Sequence, residues 1–124
     1  MQSATTPHQD LYSGLIRLHI LHHACEGEIF GLEMIEELGR HGYKLSSGTM
    51  YPILHSLEER GLLVSQEKQE GRRYRRFYRA TPAGRRALVA AKEKVRELFG
   101  ELFEQHPHRA PRKRMPPRRT KPKT

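Results

Sequence analysis

Five arginines lie within eight residues of the sequence, and no acidic residue separates them: Arg72, Arg73, Arg75, Arg76 and Arg79. Because like charges at this density repel one another, the cluster favours an anionic partner over a merely solvated surface. Tyr74, Phe77 and Tyr78 stand among the arginines, and such aromatic residues favour a β-strand. A hairpin that carries arginines at its turn can hold phosphate groups and enter a minor groove, where the potential is most negative.

A second anion-binding surface is predicted just before this cluster, in residues 46–61, where a helical pattern contains Pro52. The proline lies about one turn inside the helix, so its missing N–H would have bonded the carbonyl of Gly48. At about 100° per residue, Gly48, Pro52 and His55 share one face of this helix. The opposite face is a core stripe of Met50, Ile53, Leu54 and Leu57. The N-terminal half of the outward face therefore carries small side chains that leave the helix backbone accessible.

A helix with this profile can lie in the major groove of DNA, because small residues let its backbone approach and hydroxyl groups bond phosphates or base edges. Another interpretation, in which Gly48 and Pro52 only shape a helix–turn junction, fits this segment equally well. The arginine cluster that follows favours the DNA-binding interpretation. The predicted DNA-binding residues are Ser46, Ser47, Gly48, Thr49, Tyr51, Pro52, His55, Arg72, Arg73 and Arg75.

The elements that must position these residues are predicted in the order helix, helix, helix, hairpin, long helix. A serine, Ser46 or Ser47, caps the third helix through its hydroxyl group, Gly71 reverses the hairpin, and Thr81 caps the last helix. The predicted fold class is mainly α with a two-stranded β wing, a winged helix-turn-helix with a C-terminal dimerisation helix. Its parts are a flexible arm at 1–8, the winged helix-turn-helix at 9–81, the dimerisation helix at 82–106 and a disordered basic tail at 107–124.

Two helices carry apolar residues beyond what a small core can cover. In the last helix the apolar spacing alternates between 3 and 4 residues, which is a heptad seam. The first helix is apolar on two nearly opposite faces, which predicts packing against its own core on one side and a second subunit on the other. The predicted dimerisation residues are Ile16, Ile20, Leu88, Ala91, Val95, Leu98, Phe99 and Leu102.

The charge of the chain is concentrated rather than uniform. The net charge is +9, and residues 107–124 hold eight lysines and arginines and no acid, which leaves fifteen basic and fourteen acidic side chains for the remainder. This charge pattern predicts that the tail is a non-specific electrostatic arm for nucleic acid. Binding to RNA, binding to a membrane surface, or a contribution to solubility alone are left open as other roles of the tail. The sequence predicts neither a signal peptide nor a membrane span, and we expect a cytoplasmic location.

His19, His22, His23 and Cys25 are candidates for a metal or redox role. The histidines have i, i+3, i+4 spacing, which suits one metal on one helix face, but no completing carboxylates are obvious. We therefore predict no metal and no cofactor, with His22 and Cys25 as partly buried packing residues. The single cysteine also excludes an internal disulfide framework.

The sequence resembles the PadR-type transcriptional regulators in several motifs. Residues 46–62, SSGTMYPILHSLEERGL, are similar to the signature of that family, and so are residues 75–88, RRFYRATPAGRRAL. The segment Ile29-Phe30-Gly31-Leu32 extends the likeness, which spans roughly residues 15–103. The resemblance implies a homodimeric repressor of the family's short subgroup that binds a palindromic double-stranded DNA operator. It also implies a small aromatic or xenobiotic effector, whereas the basic tail is not part of the family pattern.

Function is predicted on this basis to be sequence-specific DNA binding, as a homodimeric repressor that a small ligand releases. The alternative is a winged-helix interaction adapter or antirepressor, whose basic tail binds nucleic acid without sequence preference. We do not expect an enzyme, the third class considered, because the sequence shows no nucleophile–base pair, phosphate loop or paired-carboxylate motif.

Overall fold

The computed structural model describes residues 9–104, so the predicted arm and basic tail lie outside it. Its elements are α1 (Gln9–Glu26), β1 (Ile29–Phe30), α2 (Gly31–Arg40), α3 (Ser47–Glu59), β2 (Leu63–Glu70), β3 (Arg73–Ala80) and α4 (Pro82–Phe103). The chain divides into two compact units, one ending at Ala91 and the other beginning at Lys92. No helix of the described range has both the length and the apolar character needed to cross a bilayer.

The sheet contains the predicted hairpin and one additional short strand. Strands β2 and β3 pair antiparallel around a turn in which Gly71 has a φ of 63°, as predicted for a tight reversal. The sequence pattern predicts that the second helix begins at Ile29. That prediction was wrong, because Ile29 and Phe30 form β1 and pair with Tyr78 and Phe77 of β3. A β-branched and an aromatic residue beside an open strand edge gain more from pairing than from starting a helix.

The core fills the space between α1, α2, α3 and the base of the hairpin. Ile16 and Ile20 of α1 are 1% and 0% exposed and pack within this core. Their assignment to a dimer interface was therefore wrong: they face their own domain. The opposite face of α1 is the one left open, with Leu11 at 72% and Leu15 at 45% exposure.

The helical pattern places Leu32, Ile35 and Leu38 of the second helix inward, and one of the three differs. Leu38 is buried together with Met34, and Ile35 is half-buried against the core. Leu32, next to the first residue of α2, is 61% exposed.

Two junctions lock the hairpin to the helices around it. At the end of α3, Gly61 adopts a φ of 79° and the Leu62 N–H donates to the Leu57 carbonyl, a left-handed helix end. At the start of α4, the predicted cap is confirmed, since the Gly84 N–H donates to the Thr81 hydroxyl at 2.9 Å. The same hydroxyl donates to the Gly61 carbonyl at 2.6 Å, so one side chain joins both junctions.

Tyr78 is the largest fully buried side chain of the core, and its hydroxyl has no hydrogen-bond partner among the described residues. Burial, with a smaller contribution from the Glu58 carboxylate, raises the pKa of this phenol, which therefore stays neutral.

Replacing Tyr78 by phenylalanine is expected to raise the free energy of unfolding by about 1 kcal/mol, because it removes a buried polar group that makes no bond. Urea unfolding followed by circular dichroism measures the change. Tyr74→Phe is the matched control, since Tyr74 is 64% exposed and its hydroxyl should contribute nothing. A loss of stability in Tyr78→Phe would mean that the hydroxyl is bonded in solution.

Candidate nucleic-acid interface

The outward face of α3 is open, as the helical projection predicted. Gly48, Pro52 and His55 are exposed, while Met50 and Leu54 on the opposite face are fully buried. A Cβ atom added to Gly48 would meet only the Ser46 hydroxyl, at 3.6 Å. Nothing among the described residues therefore covers the N-terminal half of this helix face.

The N-terminus of α3 is capped differently from the expectation. Ser46 is the N-cap residue, but its side chain makes no capping bond, and its hydroxyl instead lies 3.4 Å from the Thr49 hydroxyl. The Ser46 carbonyl accepts the N–H groups of Thr49 and Met50. Within the described chain the N–H groups of Ser47 and Gly48 therefore have no acceptor, and they are free to bind an anion.

A groove of about 730 Å³ runs between this face and the N-terminal half of α1. Gly48, Thr49 and Pro52 line one side of it, and Asp10, Ser13 and Arg17 line the other. The Arg17 guanidinium donates to the Ser13 carbonyl at 3.2 Å, which holds a positive charge beside α3. Arg17 was not predicted from the sequence, because no local pattern shows which face of α1 meets α3.

Tyr51 lies on the other side of α3 and faces the hairpin. Its ring packs against Gly31 so closely that a Cβ on Gly31 would come within 2.6 Å of three of its atoms. Tyr51 also lines a cleft of about 190 Å³, whose other walls include Phe30 and residues 73–76. The tyrosine predicted to edge the Gly48 face is therefore half-buried at the junction of α2, α3 and the wing.

The tip of the wing carries the arginines with the fewest partners. Arg72 lies in the turn and Arg73 opens β3, and both are exposed. Neither guanidinium forms an ion pair or hydrogen bond with any residue in the described range. These two charges are consequently available to a phosphate backbone or a minor groove.

Arg75, the third arginine predicted to contact DNA, is already engaged. Its guanidinium carbon lies 3.8 Å from the centroid of the Phe30 ring, and Nη1 lies 3.3 Å from Glu70 Oε1. A second carboxylate, that of Glu33, lies 4.0 Å from Nη2. This arrangement ties the wing to β1 and the start of α2, and a DNA contact by Arg75 would have to compete with these partners.

A polar network fixes the angle between α3 and the wing. The Glu58 carboxylate accepts the Ser65 N–H at 3.1 Å and the Ser65 hydroxyl at 2.9 Å. The Arg76 guanidinium in turn donates to Ser65 Oγ at 3.1 Å and to the Glu67 carboxylate at 3.4 Å. The hydrogen bonds between Glu58 and Ser65 therefore hold α3 and the wing in a fixed relative position, as two elements that contact one duplex would require.

The predicted dimerisation residues of α4 differ in exposure. Leu88 and Ala91 are half-buried, and Leu88 packs against the core of its own domain. The remaining four are exposed by 45–55%: Val95, Leu98, Phe99 and Leu102. The apolar seam is thus a surface feature only from Val95 onward.

Comparison with known proteins places this geometry among transcriptional regulators. Residues 20–90 match the model of the transcriptional regulator PadR-like family. The chain is 50% identical over 95 residues to the transcriptional regulator Rv3488 of Mycobacterium tuberculosis, an alignment that covers 77% of this chain and 89% of that protein.

Solved structures show the same fold. A PadR family transcriptional regulator from Eggerthella lenta has a TM-score of 0.66 and 29% identity, over 78% of this chain and 88% of that one. A transcriptional regulator from Clostridium thermocellum also has a TM-score of 0.66, with 26% identity over 77% and 95% of the two chains. The predicted winged-helix class is therefore confirmed.

Proposed function

Because the chain belongs to the PadR-like family of transcriptional regulators, we propose that it is a homodimeric repressor whose α3 helices and wings bind a palindromic operator. The observation that carries this proposal is the open N-terminal half of α3 beside Arg72 and Arg73 at the wing tip, which have no ion-pair partner among residues 9–104. Regulation rather than catalysis follows from the family, as the sequence predicted. A cytoplasmic location accompanies the proposal, because the operator is part of the chromosome.

The N-terminal half of α3 is proposed to enter the major groove. Its side chains there are small or hydroxylated, which lets the helix backbone approach the base edges. The free N–H groups of Ser47 and Gly48 lie at the positive end of the helix dipole, where a phosphate oxygen binds favourably. Arg17, across the groove from Pro52, is positioned to hold the adjacent phosphate backbone.

The wing is proposed to contact the flanking minor groove or its phosphates through Arg72 and Arg73. Both residues are exposed, and neither would need to give up an ion pair with the described residues on binding DNA. Arg75 and Arg76, which are held by carboxylates, act instead as supports that fix the wing.

Dimerisation is proposed through the exposed seam of α4. Val95, Leu98 and Phe99 of this seam are each at least 45% exposed. Apolar side chains exposed in rows of this kind mark protein–protein interfaces. A small aromatic or xenobiotic effector stays a prediction from the family. Such a ligand would act by changing the angle between subunits and hence the spacing of the half-sites.

Replacing Arg72 and Arg73 together by alanine is expected to weaken operator binding by roughly a hundredfold, about tenfold for each lost contact. The salt dependence should also become shallower, by about one counterion for each phosphate contact removed. Fluorescence anisotropy with the DNA upstream of the protein's own gene measures both quantities over a series of salt concentrations.

Arg60→Ala serves as the control for that experiment, because Arg60 is an exposed arginine at the opposite end of α3. It should bind the operator like the wild type. Three results together would favour the adapter alternative over the repressor. The Arg72, Arg73 double variant would bind the operator normally, and removal of residues 107–124 would abolish binding. Competitor DNA of any sequence would displace the operator equally well.

A further inference from the structure

The C-terminal end of α1 carries a group of imidazole and carboxylate side chains that DNA binding does not use. One potential ligand atom from each of His22, His23 and Glu26 lies within 4.8 Å of the other two. The closest measured pair is His22 Nε2 and Glu26 Oε2, at 3.5 Å. In the described range this is the one such group of three or more metal-ligating residues.

Helix geometry explains why these three side chains converge. At about 100° per residue, Glu26 projects between His22 and His23 on the helix surface, one turn further along. Glu26 is also the last residue of α1. The end of the helix therefore adds the partial negative charge of its free carbonyl groups, which favours a bound cation.

Carboxylate side chains lie close to this group. His23 and Glu26 line a cleft of about 420 Å³ whose other walls include Glu36 and Glu37. The Glu37 carboxylate lies 3.5 Å from His23 Nε2. A carboxylate beside a metal-binding histidine orients the imidazole and makes it a better ligand.

We propose that His22, His23 and Glu26 bind a divalent transition-metal ion of the zinc, cobalt and nickel class, one per chain. Two imidazoles and one carboxylate suit these ions, whereas Mg²⁺ and Ca²⁺ prefer oxygen ligands alone. In a tetrahedral zinc site with bonds of about 2.1 Å the ligand atoms lie about 3.4 Å apart. His22 and Glu26 reach that spacing by small rotations, because their side chains are 48% and 64% exposed. Solvent completes the coordination.

The structure corrects the sequence-based expectation that His22 is a partly buried packing residue, and the proposal departs from the expectation that no metal binds. His22 is exposed and packs against no core residue, so its orientation toward Glu26 does not serve burial. The missing carboxylates are Glu26, at the next helical turn, and Glu37, which only the packing of α2 against α1 brings near. Cys25, the nearest thiol, is not a member of the group.

Calorimetric titration of the untagged, metal-free full chain with Zn²⁺ tests the proposal, together with the visible absorption of bound Co²⁺. The wild type is expected to bind one ion per chain. Glu26→Gln, which keeps the shape of the side chain, and His22→Ala should each weaken binding at least tenfold. Both variants should leave the far-ultraviolet circular dichroism unchanged, because the two side chains are exposed. Mg²⁺ should produce no binding signal at the same concentration.

The matched control is the double variant His106→Ala and His108→Ala, which removes the histidines that follow α4 and should bind Zn²⁺ like the wild type. The proposal is overturned if the wild type binds no Zn²⁺, or if Glu26→Gln and His22→Ala bind it with unchanged affinity. The proposal is also overturned if the His106→Ala, His108→Ala double variant is the only variant that loses Zn²⁺ binding, or if Mg²⁺ binds the wild type as tightly as Zn²⁺ does. None of these measurements involves DNA, so their failure would leave the proposed repressor function untouched.

Discussion

Replacing Gly84 by alanine is expected to lower the free energy of unfolding by about 3 kcal/mol or more, the largest stability loss from adding a single methyl group to this chain. Gly84 is a buried residue in the first turn of α4. A Cβ atom there would overlap the carbonyl oxygen of Leu62 and crowd its carbonyl carbon and the Leu21 side chain. Backbone atoms cannot rotate away as side chains do, so the junction itself would have to move.

That junction has little freedom to move. The Leu62 carbonyl accepts the Thr81 N–H at 3.0 Å, and the Thr81 hydroxyl bonds both the Gly84 N–H and the Gly61 carbonyl. Displacing α4 to accommodate the methyl group would stretch all three hydrogen bonds. The expected result is therefore a loss of both the packing and the helix cap.

Gly14→Ala is the matched control, because Gly14 is also helical and has no atom within 4 Å of an added Cβ. Its unfolding free energy should rise by up to about 1 kcal/mol, the helix-propensity difference between the two residues. Urea unfolding at one fixed protein concentration compares both variants with the wild type. Equal stability of Gly84→Ala and the wild type would contradict the close contact between α4 and Leu62.

Replacing Leu98 by glutamate is expected to convert the protein to a monomer and to weaken operator binding by roughly a hundredfold or more. Leu98 lies in the middle of the exposed part of the α4 seam, 53% exposed in the single chain. A charge buried in the proposed interface would have no partner there. Without the dimer, the two half-sites are bound independently, and the gain from linking two binding events is lost.

Sedimentation velocity and fluorescence anisotropy measure the two effects on one preparation. Arg96→Glu is the control, since it introduces the same side chain about 200° around the helix from Leu98. It should stay dimeric. The far-ultraviolet circular dichroism of Leu98→Glu should be unchanged, because the substitution is on the surface of the chain. A wild type that sediments as a monomer, or a dimeric Leu98→Glu, would remove the proposed interface.

Local sequence determined the hairpin turn, the exposed face of α3 and the cap of α4. Gly71 adopts positive φ in the hairpin turn, and Thr81 caps α4, each as predicted. The apolar stripe of α3 is buried, and Gly48 and Pro52 remain exposed opposite it. These features follow from chemistry within a few residues: steric freedom at glycine, hydroxyl capping, and the helical period. They were accessible without any knowledge of what packs against what.

The tertiary structure decided which faces meet, and it overturned the expectations that depended on such contacts. Ile16 and Ile20 turned toward the core rather than a second subunit. Ile29 and Phe30 became a strand because the edge of β3 was beside them. Likewise, the partners of Arg75 and the carboxylates near His23 come from elements distant in the sequence. A helix that is apolar on two faces is consistent with either orientation, and only the packing energy of the whole core selects between them.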